Sequence, residues 1–325
     1  IVAILATIVG LSVTIGYGVS QFASGLFNIT QFNWLVGENS QPTIGAQLLG
    51  LLLIIGASCL SAMSGLHKGI KWLSNVNMIL SLVLILFFIL FGASVFSFKT
   101  FFITIYDYLL ALPKMSFTVW NSNDSETAGQ LQSWQSSWTI FYWAWWIAFA
   151  PFVGIFLARV SKGRTIREYV FGAIITPSLI CLVWFAFIGG TAIDLELSGK
   201  AQGSIINTDI SNQLFATVNL ILSEGYAAIL SVIIVILLLT FLITSADSGI
   251  LIINTLASGG SGDHREVKHI IIWGVIFASL IGTLLFAGGM DALRSVMIIG
   301  ALPFSIVMVL MGVSFLKTCL ADKDY

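Results

Sequence analysis

The sequence predicts an all-α polytopic membrane protein with about eight transmembrane helices. Of its 325 residues, 58% are hydrophobic and only 9% are charged, and its mean hydropathy is +0.99. A soluble domain carries charge on roughly a quarter of its residues. Long apolar runs recur along the chain, each close to the ~20 residues that a helix needs to cross the hydrocarbon core of a bilayer.

Eight membrane segments follow from these runs, and their ends are defined to within a few residues. They are 1–20, 44–64, 74–96, 138–158, 169–190, 226–250, 270–287 and 297–317. The long loop between the third and fourth segments, 97–137, is predicted to begin with a helix at 98–112 that lies in the membrane interface. Glycine pairs at 189–190 and 288–289 fall at predicted helix ends, where glycine commonly forms the cap.

The distribution of basic residues predicts the orientation in the membrane. If the first segment runs outward, ten of the Lys and Arg residues lie in inside loops and four lie in outside loops, which predicts a cytoplasmic C-terminus. The inside residues are Lys68, Lys71, Arg159, Lys162, Arg164, Arg167, Arg265, Lys268, Lys317 and Lys323, and the outside residues are Lys99, Lys114, Lys200 and Arg294.

Charge and cysteine content exclude several classes of function. The net charge of −1 provides no basic surface for nucleic acid. Cys59, Cys181 and Cys319 lie in or at the end of apolar segments, and their odd number and spacing favour packing over a disulfide framework or a zinc site. An enzyme is not predicted, because no nucleophile–base pair and no membrane-embedded His is present. A channel is disfavoured because no polar or carbonyl-rich filter sequence appears.

The most distinctive stretch is FYWAWWIAFAPF at 141–152. On a helix, Tyr142, Trp145 or Trp146, Phe149 and Phe152 recur at steps of three or four and share one face. Aromatic faces attract cations by ~0.5–2 kcal/mol per contact. A quaternary ammonium donates no hydrogen bonds, so a cage of rings suits it better than a carboxylate, and the face favours a methylated onium substrate.

Two other interpretations of the aromatic residues remain open. Aromatic stripes also pack helices together, and Trp and Tyr gather at membrane interfaces, where Trp134 and Trp138 fit a belt. A belt fades towards the membrane centre, whereas these rings continue to Phe152. Pro151 has no N–H and crowds the carbonyl of Ile147, so the helix is predicted to kink or open there. Because a freed carbonyl in lipid needs protein or water, the aromatic face is predicted to line a cavity near the midplane.

The run WTIFYWAWWIAFAPFVGIFLARVSKGRTIREYV at 138–170 resembles the signature of the betaine/carnitine/choline transporter family. The stretches SGLHKGIKWLSNVNM (64–78) and FLITSADSG (241–249) agree with it. The resemblance implies secondary active transport by alternating access in the cell membrane, the inner membrane in bacteria. It also implies a 5+5 inverted-repeat (LeuT-like) fold. Residues 1–96 would end the first repeat, 97–137 would be an extracellular loop whose interfacial helix supports a homotrimer, and 138–325 would form the second repeat.

The chain opens with IVAILATIVG, without an initiator Met or the features of a signal peptide. The simplest interpretation is a fragment that begins inside a membrane helix. On the implied fold, four more membrane segments are expected upstream, the third of them interrupted by glycine. That segment and the next would supply part of the substrate site.

The resemblance also implies substrate-binding residues. By position, Trp145 and Trp146 match the substrate-binding tryptophans of the family, and Trp143 matches a ring that lines the outer access path. Phe149 stands where betaine transporters usually have a third tryptophan. This departure leaves glycine betaine, carnitine, choline and related compounds open as substrates. The alternative is a carrier of a non-onium solute on the same scaffold.

Sodium is the coupling ion that the resemblance implies, and no other cofactor is expected. Phe241, Thr244 and Ser245 match one of the family's two sodium sites; the alternative is that the hydroxyls simply bond the carbonyls one turn earlier. Thr7 and Phe152 match residues of the family's second sodium site. Leu11 replaces a hydroxyl residue there, so this site is expected to be weakened or absent. One sodium ion, or sodium-independent exchange, is therefore expected.

Asp247 is the only acidic residue placed within a predicted membrane segment. Acids in such positions are candidates for function. Because Asp247 lies near the inner end of its helix, a gate hydrogen bond or helix packing is at least as plausible as proton transfer. Ser248 and the preceding hydroxyl residues are expected to satisfy its carboxylate.

Overall fold

The computed structural model describes residues 1–37, 40–64, 71–121, 125–259 and 267–321. Within this part of the chain, eight helical stretches are long and apolar enough to cross a membrane, which confirms an all-α polytopic membrane protein. Of the stretch 64–78, residues 65–70 lie outside the described residues. Lys68, Arg265 and Lys323, which contributed to the predicted orientation, lie outside the described residues, as does the side chain of Arg159.

Eleven α-helices lie within the described ranges. They are α1 Val2–Thr30, α2 Ile44–Ser64, α3 Lys71–Phe91, α4 Ser94–Ser116, α5 Glu126–Val160, α6 Ile166–Val170, α7 Thr176–Trp184, α8 Gly190–Leu197, α9 Gln213–Ile221, α10 Glu224–Ala257 and α11 Val267–Ala321. Two π-helical segments, Phe171–Ile175 and Phe185–Gly189, connect α6 to α7 and α7 to α8, so that 166–197 is one continuous helical path.

The predicted long loop at 97–137 is largely helical. Helix α4 confirms the helix predicted at 98–112, but the second half of the predicted loop is wrong, because α5 already begins at Glu126. Hydropathy identifies only the part of a helix that is apolar enough to lie in lipid. The polar turns ETAGQLQSWQSS continue the same helix beyond that part, and α1 likewise continues past residue 20 to Thr30.

The two glycine pairs have different roles. Gly288 (φ −166°, ψ 18°) and Gly289 (φ 61°, ψ −144°) interrupt α11, which separates the predicted segments 270–287 and 297–317. The positive φ at Gly289 favours glycine because it has no Cβ. Gly189 and Gly190, in contrast, keep helical dihedrals, so the predicted cap is wrong there. A Cβ at Gly190 would lie 3.0 Å from Oγ of Ser97, so this glycine permits close packing of α8 against α4.

The chain forms two compact units. The first contains Ile1–Gly16, Val119–Ala158 and Ser245–Tyr325, and the second contains Tyr17–Thr118 and Arg159–Thr244. In the first unit, α1 approaches its neighbours through glycine, and a Cβ at Gly249 would lie 2.4 Å from Cδ1 of Leu11. The core of the second unit includes Phe88 and Phe215. The division does not follow the two implied repeats, whose arrangement stays a prediction.

Candidate functional site

A continuous series of ring contacts runs along one face of α5 in the first unit. Its members, which we call the ring column, are Trp138, Phe141, Tyr142, Trp145, Phe149 and Phe152. Successive ring centroids lie 5.2 to 6.4 Å apart. At ~1.5 Å rise per residue the column extends about 20 Å along the helix axis. Of the two adjacent tryptophans that could continue the face, the column contains Trp145.

Trp145 is held in place from two directions. Its ring contacts Phe141 at 5.2 Å and Phe149 at 6.4 Å between centroids. Its indole N–H donates a hydrogen bond to Oγ1 of Thr14 on α1, at 3.2 Å. A buried indole N–H normally needs such a partner. The sequence pattern did not reveal Thr14, because the contact joins residues that are 131 positions apart.

Trp143 and Trp146 lie on other faces of α5. Both side chains are 68% exposed within the described part of the chain. The structure therefore brings Trp145 and Phe149 into one column, together with Phe152, and leaves Trp143 and Trp146 outside it. Successive helix positions are turned by about 100°, so adjacent tryptophans cannot share one narrow face. The roles of all these residues in substrate binding stay predictions.

Helix α5 does not open at Pro151. The residues on both sides of the proline belong to one helix that ends at Val160. A proline inside a helix removes one hydrogen bond and costs roughly 3 kcal/mol. Tight packing one turn earlier helps to offset this cost, because α1 contacts α5 at Ala148 and Phe149. The cavity expected along the aromatic face stays a prediction.

At Gly10, α1 lies close to α5 and to the ring column. A Cβ at Gly10 would lie 3.0 Å from Cβ of Ala148 and 3.1 Å from Cδ2 of Phe149. The missing side chain therefore lets α1 hold the Phe149 ring against the rest of the column.

We expect Gly10→Ala to destabilise the protein, because the methyl group must displace Ala148 or Phe149. Overpacking of this kind costs about 1–3 kcal/mol, and the Tm in detergent measures it. Gly154→Ala on α5 is the matched control. Its Cβ would meet nothing within 4 Å, so better helix propensity should leave Tm unchanged or raise it by the equivalent of up to ~1 kcal/mol. Equal Tm changes for the two variants would contradict the close approach.

Thr244 forms the local hydrogen bonds that were the alternative to a sodium site. Its hydroxyl donates to the carbonyls of Thr240 and Phe241, each at 3.0 Å. It also accepts a hydrogen bond from Nδ2 of Asn77 on α3, at 3.2 Å. Asn77 is buried, and its Oδ1 atom has no hydrogen-bond partner in the described part of the chain. A hydroxyl oxygen has two lone pairs, so Thr244 keeps one for a cation.

Phe241 lines a cavity in the second unit. The cavity has a volume of about 490 Å³, and its lining includes Gln21, Leu84 and Trp184. The carbonyl of Phe241 accepts the Thr244 hydrogen bond described above. Ser245, the third predicted sodium ligand, follows on the same helix and is the first residue of the segment that belongs to the other unit.

The predicted second sodium site contains one buried hydroxyl. Thr7 is fully buried, and its Oγ1 atom has no hydrogen-bond partner among the described residues. Leu11 is also fully buried and packs against Gly249. Phe152 continues the ring column at 5.8 Å from Phe149. The aliphatic side chain of Leu11 supplies no oxygen to this position.

Asp247 is fully buried. Its Oδ1 atom accepts a hydrogen bond from Oγ of Ser248, at 3.1 Å. The structure thus contains the Ser248 contact that the sequence predicts. A buried carboxylate with a hydroxyl donor on its own helix is compatible with a packing role.

One contact with the ring column was not predicted from the sequence. Cζ of Arg294 lies 5.3 Å from the ring centroid of Phe141 and 5.9 Å from that of Trp138. Its guanidinium also lies 3.4 Å from the carboxylate of Asp291. From the sequence, Arg294 is predicted only to lie in an outside loop.

Comparison with known proteins agrees with this architecture. The sequence matches the family described as BCCT, betaine/carnitine/choline family transporter, over residues 1–324. It is 39% identical over 323 residues to the glycine betaine transporter OpuD of Bacillus subtilis (strain 168), an alignment that covers 99% of this chain and 59% of the relative.

Two further relatives carry names with other solutes. A glycine betaine/proline/choline/ectoine transporter of Vibrio parahaemolyticus is 36% identical over 98% of this chain and 53% of its own length. An ectoine/hydroxyectoine transporter of Virgibacillus pantothenticus is 36% identical over 97% of this chain and 59% of its own length. The chain thus spans a little over half the length of these relatives. The family consists of transporters and not of enzymes, and this chain belongs to the betaine/carnitine/choline transporter family.

Proposed function

We propose that this protein acts as a secondary transporter that moves a quaternary-ammonium compound by alternating access. The ring column carries the proposal. Six aromatic rings follow one another along α5, and Trp145 is oriented by its bond to Thr14. None of the six column residues carries a formal charge, so the face can attract a methylated cation through its rings without supplying a competing carboxylate.

The relatives support this class of substrate. Two of them are named for glycine betaine, and one of these two is also named for choline. Glycine betaine, carnitine and choline all carry a trimethylammonium group that fits an aromatic cage. Membrane transporters of this general kind bind substrate near the midplane and expose it alternately to each side.

A non-onium solute on the same scaffold is the second candidate. Phe149 favours it, because a phenyl ring replaces the indole that betaine transporters usually have at this position. One relative is also named for proline, which is a secondary amine. A smaller ring leaves room for a substrate that is not a trimethylammonium compound.

Transport into proteoliposomes tests the proposal. Labelled glycine betaine, carnitine and choline are offered with sodium or potassium outside, and counterflow is measured with each compound inside. We expect saturable uptake or exchange of at least one onium compound. Uptake or exchange of labelled proline, with no uptake or exchange of any onium compound, would favour the second candidate. Absence of uptake and exchange for every compound would contradict transport by this scaffold.

We further propose that one sodium ion couples transport, with ligands from the carbonyl of Phe241 and the hydroxyls of Thr244 and Ser245. Hard cations take oxygen ligands. The remaining lone pair of Thr244 supports the proposal, as does the Asn77 amide, which donates to that hydroxyl and so orients it. Exchange without sodium is the other outcome of the same transport measurements.

Thr7→Val tests whether a second sodium ion is bound. We expect unchanged sodium dependence, because Leu11 leaves this position one oxygen short. Valine removes a buried hydroxyl that has no hydrogen-bond partner among the described residues. Leaving such a group unpaired costs about 1–3 kcal/mol, so the Tm should not fall. Thr7→Ser retains the hydroxyl and is the control. A lower sodium affinity in Thr7→Val alone would show that Thr7 binds sodium.

Helix α4 is proposed to lie in the interface and to support a homotrimer. It displays many large apolar side chains, including Phe98, Phe102 and Leu109, and Ser97 is its buried residue. A bilayer surface or a second subunit would cover such a face. The cytoplasmic C-terminus and the location in a bacterial inner membrane also remain proposals. Mass measurement of the detergent-solubilised protein distinguishes a trimer from a monomer.

A further inference from the structure

A buried amide oxygen lies beside the candidate sodium site. Asn77 of α3 is 3% exposed, and its Nδ2 atom donates a hydrogen bond to the Thr244 hydroxyl at 3.2 Å. Its Oδ1 atom has no hydrogen-bond partner among the described residues. Buried polar atoms in folded proteins almost always have a partner, because an unpaired one destabilises the fold. A partner from outside the described side chains and backbone would therefore stabilise Oδ1.

The hydrogen bonds of Thr244 decide which amide atom of Asn77 faces it. The Thr244 hydroxyl directs its one proton to the carbonyls of Thr240 and Phe241, each at 3.0 Å. It can then only accept from Asn77, so the amide presents its N–H to this oxygen and not its carbonyl. The other arm of the same planar group is the unpaired Oδ1, which is held close to two of the proposed sodium ligands.

The chemistry of these groups suits a sodium ion. The amide of Asn77, the hydroxyl of Thr244 and the carbonyl of Phe241 carry no formal charge. Hard cations bind amide and backbone carbonyl oxygens as well as hydroxyls. A water molecule is the other small partner for a buried oxygen. If water alone satisfied Oδ1, removal of this atom would leave sodium binding unchanged.

We propose that Asn77 is an additional ligand of the coupling sodium ion, which it binds through Oδ1 while its Nδ2 atom orients the Thr244 hydroxyl. The inference rests on the proposed sodium site at Phe241, Thr244 and Ser245. Those three residues all lie on α10. Asn77 adds a ligand from α3, so a bound ion joins two helices and stabilises the folded protein.

Thermal unfolding of the purified protein tests the inference without measuring transport. Sodium replaces potassium at constant ionic strength, and the rise of Tm with sodium concentration gives the apparent affinity, because a ligand that binds the folded state stabilises it. We expect the wild-type Tm to rise. Asn77→Leu removes both polar atoms of the amide and should lower the apparent sodium affinity about tenfold. The Tm in potassium alone reports whether this variant is folded.

Ser58→Ala is the matched control. Ser58 of α2 is fully buried, and its hydroxyl donates to the carbonyls of Ile54 and Ile243, at 2.6 and 3.2 Å. Its loss removes another buried contact with the same turn of α10, so the Tm in potassium should fall while the sodium affinity stays the same. Equal losses of sodium affinity in Ser58→Ala and Asn77→Leu would indicate a general loosening of α10 and would overturn the proposal.

Two further variants separate a ligand from a residue that only positions Thr244. In the Thr244→Val background the oriented hydroxyl is absent, so a positioning residue would have no further effect there. We expect Asn77→Leu to lower the sodium affinity again in this background, and no further loss would overturn the proposal. Asn77→Asp keeps an oxygen at this position and should retain or raise the affinity. A lower affinity in Asn77→Asp would also overturn the proposal.

The wild-type response shows which proposal fails. A wild-type Tm that rises with sodium, together with an equal rise in Asn77→Leu, overturns the role of Asn77 and leaves the proposed sodium site standing. A wild-type Tm that does not respond to sodium contradicts the proposed sodium site and the role of Asn77 together.

Discussion

Trp145→Leu is expected to lower the affinity for an onium substrate about tenfold and to lower the Tm. One cation–π contact with tryptophan contributes roughly 0.5–2 kcal/mol, and 1.4 kcal/mol corresponds to a factor of ten. The variant also removes the hydrogen bond from the indole to Thr14 and the ring contacts with Phe141 and Phe149. Calorimetric titration with the best transported onium compound measures the affinity.

Two further substitutions distinguish the contribution of the Trp145 indole N–H from that of the adjacent tryptophan, Trp146. Trp145→Phe keeps a ring but loses the N–H, so we expect a smaller loss of affinity. Trp146→Leu should weaken binding at an unchanged Tm, because this residue is 68% exposed within the described part of the chain. Trp72→Leu is the control, since Trp72 is similarly exposed on α3 and matches no substrate-binding position. Unchanged onium affinity in both Trp145→Leu and Trp146→Leu would mean that these rings only pack.

Thr244→Val is expected to raise the sodium concentration for half-maximal uptake about tenfold. The loss of one oxygen ligand should weaken the free energy of sodium binding by about 1.4 kcal/mol, which corresponds to a tenfold change in affinity. Valine matches threonine in shape but has no hydroxyl. Its loss also leaves the Asn77 amide without this partner, and an unsatisfied buried group costs about 1–3 kcal/mol. Sodium dependence of uptake and the Tm are measured on the same preparation.

Thr240→Val provides a closely matched comparison. Thr240 lies one turn earlier on α10, and its hydroxyl donates to the carbonyls of Ile236 and Leu237. It makes the same kind of local bond but is not a predicted sodium ligand, so its replacement should leave sodium dependence unchanged. Thr244→Ser should retain most of the wild-type behaviour. Equal effects of Thr240→Val and Thr244→Val on sodium dependence would indicate helix distortion and would contradict the proposed ligand.

The helices were predicted well where the apolar segments that cross the lipid alternate clearly with polar segments in water. Segment 44–64 coincides with α2, and the pair 270–287 and 297–317 is separated where Gly288 and Gly289 interrupt α11. The extent of α5 was not predicted, because its polar first turns are helical outside the apolar stretch. The continuation of the helix through Gly189 and Gly190 was also missed, because sequence alone does not reveal the approach of Ser97.

The candidate site was predicted in part. Helical periodicity placed Tyr142, Phe149 and Phe152 on one face, and the structure shows successive ring contacts along it. Periodicity alone did not decide between Trp145 and Trp146, because both lie within one residue of the ideal spacing. For Thr244, the sequence predicted the local hydrogen bond as an alternative but not the contact with Asn77, which is 167 positions away.

Composition and periodicity alone establish a polytopic helical membrane protein with a face of rings along one helix, because each helix satisfies its own backbone hydrogen bonds and must match the apolar thickness of the bilayer. The contacts between helices could be identified only from the tertiary structure. It selected Trp145 through Thr14, placed Phe149 against Gly10 and set the charge of Arg294 on the end of the column. These contacts join residues that are far apart in the chain, and local pattern does not specify which helices pack together.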